Sequence, residues 1–145
     1  MTYGLTSERS FFAIWNLVMP PTKTNYFEPW FFAETEMRHV LFLCSRNRLR
    51  SPTAESIFAD SDGFEVRSAG LNNDAAVPIT PELIEWADYI FVMEKEHRDK
   101  LQKKYKKQLN KQKIICLNIP DEYEYMDDGL IRLLKHRLGS FFQKA

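Results

Sequence analysis

Val40-Leu41-Phe42-Leu43-Cys44-Ser45-Arg46-Asn47-Arg48-Leu49-Arg50-Ser51-Pro52 is the stretch from which the fold of this chain can be read. An apolar run ends at a cysteine, a short polar loop follows, and Ser51-Pro52 reads as a helix start with Ser51 as N-cap and Pro52 at the first helical position. A buried strand, a tight loop and a helix N-terminus in succession aim backbone N–H groups at one spot, which suits an oxyanion. A thiol placed where a helix dipole and a guanidinium favour negative charge is disposed to be a thiolate, and so a nucleophile.

Working outward, strand and helix patterns alternate. Val40 to Leu43 predicts the first strand, and Pro52 to Phe58 a helix with Ala54, Ile57 and Phe58 on one face. Phe64 to Arg67 predicts a second strand, ending in a turn at Ser68-Ala69-Gly70 and a polar loop through Asn72-Asn73-Asp74. Thr80 caps a helix with Pro81 at its first position and turns Leu83, Trp86 and Ala87 inward. Tyr89 to Met93 is a third strand, a helix carries Leu101, Tyr105 and Leu109, and Ile114 to Leu117 is a fourth strand. A last helix buries Leu130, Leu133, Leu134, Leu138 and Phe141. Regular βαβ alternation implies an α/β fold of three layers: a four-stranded parallel sheet with helices on both faces and the phosphate loop after the first strand. Ligands in such sheets bind beyond the carboxyl ends of the strands, where Cys44 falls.

The chain of 145 residues suits one domain, residues 37–145, preceded by an N-terminal extension, residues 1–36, that is not a separate domain. Residues 1–36 are aromatic, with Phe11, Phe12, Trp15, Trp30 and Phe31, and are broken by Pro20-Pro21 and Pro29. Met37 stands directly before the first core strand and is an alternative start. The stretch Phe11 to Pro21 is about half of what spans a bilayer and fits a secretory signal poorly, so no membrane partner is expected. Lys plus Arg and Asp plus Glu number 20 each, which removes any general electrostatic case for nucleic acid. Two cysteines of unlike context, Cys44 and Cys116, make no disulfide framework and point to a reducing cytoplasm.

A Cys followed by an Arg after five residues is by itself a common coincidence; strand, loop, Asn and Ser-Pro together make one device. Arg50 offers a guanidinium fork to phosphate oxygens, Ser51 a hydroxyl to the Cys44 sulfur, and Asn47 tolerates a left-handed backbone and can tie the loop to its neighbours. Ser45, Arg46, Asn47, Arg48, Leu49 and Ser51 are therefore candidate substrate-binding residues beside Cys44 and Arg50. His39, His97 and His136 are scattered, so neither a metal site nor a Ser/His/Asp arrangement is expected. The lysines from Lys103 to Lys107 read as a solvated helix face.

Cys44 to Pro52, Ser68-Ala69-Gly70, Asp88 to Met93 and Asp121-Glu122-Tyr123, in that order, resemble the low-molecular-weight protein tyrosine phosphatase family over roughly residues 37 to 142. The resemblance implies a metal-independent phosphomonoesterase without cofactor, a cysteinyl-phosphate intermediate, and a late-loop aspartate as general acid. Asp121 is the candidate acid, with Asp127 and Asp128 as rivals that more plausibly cap the last helix, and Tyr123 is a candidate cleft wall. The partners implied are phosphorylated proteins or small aryl phosphates; the oligomeric state is open. Departures are Arg46 in place of a usual Gly, Leu49 in place of a second Cys, Glu122 in place of Pro, and a shortened loop from Leu71 to Val77. Arg46 and Arg48 either favour a multiply anionic substrate or pair with Glu122 and Glu124. Two alternatives stay open: a non-catalytic module that captures phosphate or phosphoprotein, and an arsenate reductase, for which Cys116 is badly placed.

Overall fold

The computed structural model describes residues 37–143, and the reading of residues 1–36 as an extension lies outside them. The described chain runs β1 (Arg38–Cys44), α1 (Arg50–Phe58), β2 (Phe64–Gly70), α2 (Pro81–Trp86), β3 (Tyr89–Val92), α3 (Lys95–Lys104), β4 (Lys113–Cys116) and α4 (Asp128–Gln143). All strand pairs are parallel, in the order β2-β1-β3-β4. β1 is thus the central strand from which the chain winds in both directions, and its carboxyl end is the topological switch point.

Period-two alternation along β1 sorts the core into two layers. Val40, Phe42 and Cys44 face one cluster with Ala54 and Phe58 of α1 and Leu130, Leu134, Leu138 and Phe142 of α4. Leu41 and Leu43 face the other, with Ile84 of α2 and Leu101 of α3. The expected three-layer arrangement is present, with α1 and α4 on one face and α2 and α3 on the other. Phe58 of α1 stacks on Phe142 of α4 at 4.2 Å between ring centroids, and Phe64 and Phe91 of the sheet meet Phe142 and Phe141 edge-on at 4.8 and 5.2 Å, so aromatic pairs tie α4 to α1 and to the sheet. Among the described residues no helix is long and apolar enough to cross a membrane.

Three local expectations are corrected. Ser68-Ala69-Gly70 is not a turn but the last three residues of β2, paired with Phe42, Leu43 and Cys44. Small side chains signal here the close passage of the loop after β1: a Cβ on Gly70 would lie 2.8 Å from the Ser45 carbonyl oxygen and 2.5 Å from the Ala75 Cβ. α1 begins at Arg50 with Leu49 as N-cap, so Ser51 is not the cap. Pro52 falls in the first turn, where its missing N–H had no intrahelical partner to lose. α3 stops at Lys104 and does not reach Leu109. Gln112 ends the segment: its side chain accepts from the N–H groups of Asn110 and Lys111 and donates to the Ile84 and Gln108 carbonyls.

Candidate active site

The loop Ser45 to Leu49 is built around the Cys44 sulfur. Asn47 has a left-handed backbone (φ 55°), the conformation that Asn adopts at least cost among side-chain-bearing residues. That turn brings the Asn47 N–H to 3.2 Å from Sγ, and the Ser51 hydroxyl lies 3.0 Å from the same sulfur. Asn47 Nδ2 donates to both Ser51 Oγ and Ser68 Oγ at 2.9 Å, and Ser68 in turn donates to the Glu55 carboxylate. Because the amide nitrogen can only donate, Ser51 receives from Asn47, and its own hydrogen is left for the sulfur at 3.0 Å or the Ala69 carbonyl at 3.5 Å. Of the two roles read for Ser51, the cap falls to Leu49 and the hydroxyl beside the thiol is present.

The loop after β2 closes against this one. Leu71 N–H donates to the Cys44 carbonyl, Asn72 N–H to that of Ser45 and Ala76 N–H to that of Arg46, at 2.9 to 3.0 Å. With those carbonyls held outward, the N–H groups of Arg46, Arg48 and Leu49 have no acceptor among the described residues. A cluster of unpaired donors at a helix N-terminus is an anion site in waiting.

Arg50 is buried, 3% exposed, and fixed from three sides. Its Nη1 donates to the Ile119 carbonyl at 2.8 Å and lies 3.0 Å from Glu94 Oε1, while Nε lies 3.6 Å from Asp121 Oδ1. Nη2 has no partner among the described residues. Partnered carboxylates offset the cost of burying the guanidinium. Asp121 itself is open to solvent, with 66% of its side chain exposed. Its loop is pinned to α1, because Met126 N–H donates to Thr53 Oγ1 at 2.9 Å and the Tyr125 hydroxyl lies 3.1 Å from Ser56 Oγ.

One cavity of about 580 Å³ brings together Cys44, Ser45, Arg46, Arg48, Leu49, Arg50 and Asp121 from the sequence expectation, and adds Asn72. Asn47 and Ser51 lie beneath it as buried supports. Tyr123 does not line it; half-buried, it packs against the apolar cluster under α4. Asp127 accepts from the N–H groups of Gly129 and Leu130 at the start of α4, the helix-capping position expected for it. Arg46 and Arg48 are exposed and form no ion pair with any described residue, so of the two alternatives the pairing with Glu122 and Glu124 is absent.

Sequence reading missed Glu94 and His97. His97 is not a scattered residue: it is 3% exposed, and its Nε2 lies 2.9 Å from Ser45 Oγ. Burial, then the charge of Arg50, lowers its pKa from 6.5 to about 4, so the ring is neutral at physiological pH. The signal was Glu94-Lys95-Glu96-His97, in which a side chain in the first turn reaches back to the N-cap N–H; Nδ1 accepts from Glu94 N–H at 3.1 Å. Cys116 packs on the opposite face of the sheet from Cys44, and both are free thiols. Among the described residues no His, Cys, Asp and Glu side chains group as a metal site requires.

Comparison with known proteins places this geometry. Residues 39–87, from β1 to the end of α2, match the family model described as low molecular weight phosphotyrosine protein phosphatase. No curated protein sequence matches the chain. Among solved structures, Vibrio vulnificus Wzb in complex with benzylphosphonate is similar with a TM-score of 0.61 at 20% identity, over 75% of this chain and 99% of that one. The low molecular weight protein tyrosine phosphatase SP-PTP of Streptococcus pyogenes gives 0.62 at 19%, covering 74% and 93%. The YwlE arginine phosphatase of Geobacillus stearothermophilus gives 0.58 at 22%, covering 74% and 94%. The resemblance read from Cys44 to Pro52 and the expected parallel α/β fold are both borne out.

Proposed function

We propose that this chain, whose residues 39–87 match the low molecular weight phosphotyrosine protein phosphatase family, is a cysteine-dependent, metal-independent phosphomonoesterase that acts on phosphotyrosine or another aryl phosphate. The observation that carries the reading is a single cavity that holds a thiol, unpaired backbone N–H groups, a buried guanidinium and an exposed carboxylate.

The phosphate dianion sits over the loop N–H groups of Arg46, Arg48 and Leu49 and takes the free edge of Arg50. The Cys44 thiolate attacks phosphorus, the S–P bond forms as the P–O bond to the leaving group breaks, and Asp121 gives its proton to the departing oxygen. Water then attacks the cysteinyl phosphate, Asp121 takes its proton, and the S–P bond breaks to release inorganic phosphate. Donation from Ser51 and from Asn47 N–H stabilises the sulfur as leaving group in this second step. Arg50 and the loop donors neutralise charge on the equatorial oxygens in both transition states, so no metal is required.

The solved neighbours include tyrosine and arginine phosphatases. Arg46 and Arg48 stand on the cavity wall without carboxylate partners among the described residues, and their charge disfavours the guanidinium of a phosphoarginine relative to the uncharged ring of an aryl phosphate. The cytoplasm, with its reducing thiol pool, suits a nucleophilic Cys44 that has no resolving cysteine beside it.

The test is turnover of an aryl phosphate, a phosphotyrosine peptide and a phosphoarginine peptide in the presence of a chelator, with Cys44→Ser as control. Turnover of the first two that is abolished by Cys44→Ser supports the reading. Preferential cleavage of phosphoarginine would overturn the substrate assignment. Phosphate binding without any turnover would overturn catalysis and leave a phosphate-capture module.

A further inference from the structure

Ser45 lines the cavity and the buried His97 stands behind it, and the phosphoryl-transfer steps above have no use for either. A backbone N–H can only donate, so the contact from Glu94 N–H at 3.1 Å leaves Nδ1 of His97 as an acceptor. The ring is neutral, because its pKa is lowered to about 4 by burial and Arg50. Its single proton is therefore on Nε2, and the 2.9 Å contact runs from Nε2–H to Ser45 Oγ. Ser45 has one hydrogen of its own, and that contact cannot use it. No other acceptor among the described residues lies within hydrogen-bonding distance of Ser45 Oγ, and Ser45 lines the cavity with Cys44 and Arg50.

We propose that Ser45 donates its hydroxyl hydrogen to a non-bridging oxygen of the bound phosphoryl group, and that His97 is the positioning residue that sets the direction of this donation. The inference rests on the phosphate-binding part of the preceding reading. It adds a side-chain donor to the backbone cradle, in the cavity that Cys44 and Asp121 also line. If residue 97 could accept through the atom that faces Ser45, the hydroxyl hydrogen would turn towards it and be lost to the phosphate. A neutral histidine whose Nδ1 is already occupied removes that option, so the seat of His97 on α3 is transmitted to the loop through a single hydrogen bond. Glu94 fixes both halves of the arrangement, with its N–H on His97 and its carboxylate on Arg50.

A double-mutant cycle tests this with Ser45→Ala, His97→Gln and the pair, read as the dissociation constant of inorganic phosphate and as kcat and KM for an aryl phosphate. Ser45→Ala is expected to weaken phosphate binding about ten- to a hundredfold, the range of a hydrogen bond to a charged group. His97→Gln should weaken it by a smaller factor in the parent and have little effect once Ser45 is Ala, while Ser45→Thr should restore affinity. Unchanged affinity in Ser45→Ala overturns the proposal, and so does an equal loss from His97→Gln in both backgrounds, which marks a purely structural histidine. If His97→Gln fails to fold, Ser45→Ala against Ser45→Thr decides alone. Phosphate affinity separates the two claims because it is read without turnover: if the parent binds phosphate but hydrolyses nothing, a loss caused by Ser45→Ala keeps the donor and sinks only catalysis.

Discussion

Asp121 and Asp127 are two aspartates of one loop with opposite surroundings, and their difference is the sharpest residue-level statement the site makes. Asp121 is exposed on the cavity near Arg50, whereas Asp127 is spent on the N–H groups that open α4. Asp121→Ala is accordingly expected to lower kcat by about 10² to 10⁴, as loss of a general acid does, and more for alkyl than for aryl leaving groups. Asp127→Ala should leave kcat within a few-fold and cost about 1 kcal/mol of stability. Steady-state kinetics beside thermal melts separate them, and the reverse pattern would move the acid to Asp127. At this scale the sequence was legible where the chemistry is local. Cys44, Asn47, Arg50 and Ser51 lie within eight residues of one another, and each residue type admits few uses in such a loop. His97 was not legible as a site residue, because its partner Ser45 lies 52 positions away and only the packing of α3 beside the loop makes the contact.

Elements differ in how much of their meaning is local. β1, β3 and β4 announce themselves as apolar runs, and the cap and proline of α2 mark its start, where Thr80 Oγ1 accepts from Leu83 N–H. The end of β2 does not. Ser68-Ala69-Gly70 has the composition of a turn, and only its pairing with β1 makes it strand. The small side chains answer a tertiary demand, the passage of the loop backbone a few ångströms away. Gly70→Ala tests that account at the level of the element. Its Cβ would meet the Ser45 carbonyl oxygen and the Arg46 carbonyl carbon at 2.8 and 3.0 Å, both backbone atoms that move only with the loop. Overpacking of this kind costs about 1–3 kcal/mol. The melting temperature and kcat/KM should therefore fall together, since the displaced atoms belong to the anion cradle. A melt shifted without any loss of kcat/KM would show that β2 yields and the loop does not.

Across the whole molecule, 20 basic and 20 acidic residues cancel, so the affinity for an anion comes from arrangement and not from net charge. The same arrangement couples the site to folding. His97 is held neutral inside it, with burial, Arg50 and Lys100 pushing its pKa down and Glu94 and Asp121 pushing it up, for a net fall from 6.5 to about 4. In the unfolded chain this imidazole takes a proton near pH 6.5, and in the folded chain only near pH 4. Between those values the unfolded state binds more protons, so its weight grows as pH falls. The contribution of His97 to stability is full above about pH 6.5, is lost as pH drops towards 4, and does not change further below that. A shift of this size corresponds to about 3 kcal/mol at most. Carboxylates titrate in the lower part of the same window, which makes the difference between parent and His97→Gln the informative quantity. Denaturant unfolding of both across this range should give a parent whose stability falls more steeply with acid, the two curves converging towards pH 4. Parallel curves would mean that the buried imidazole is not what links protonation to the fold.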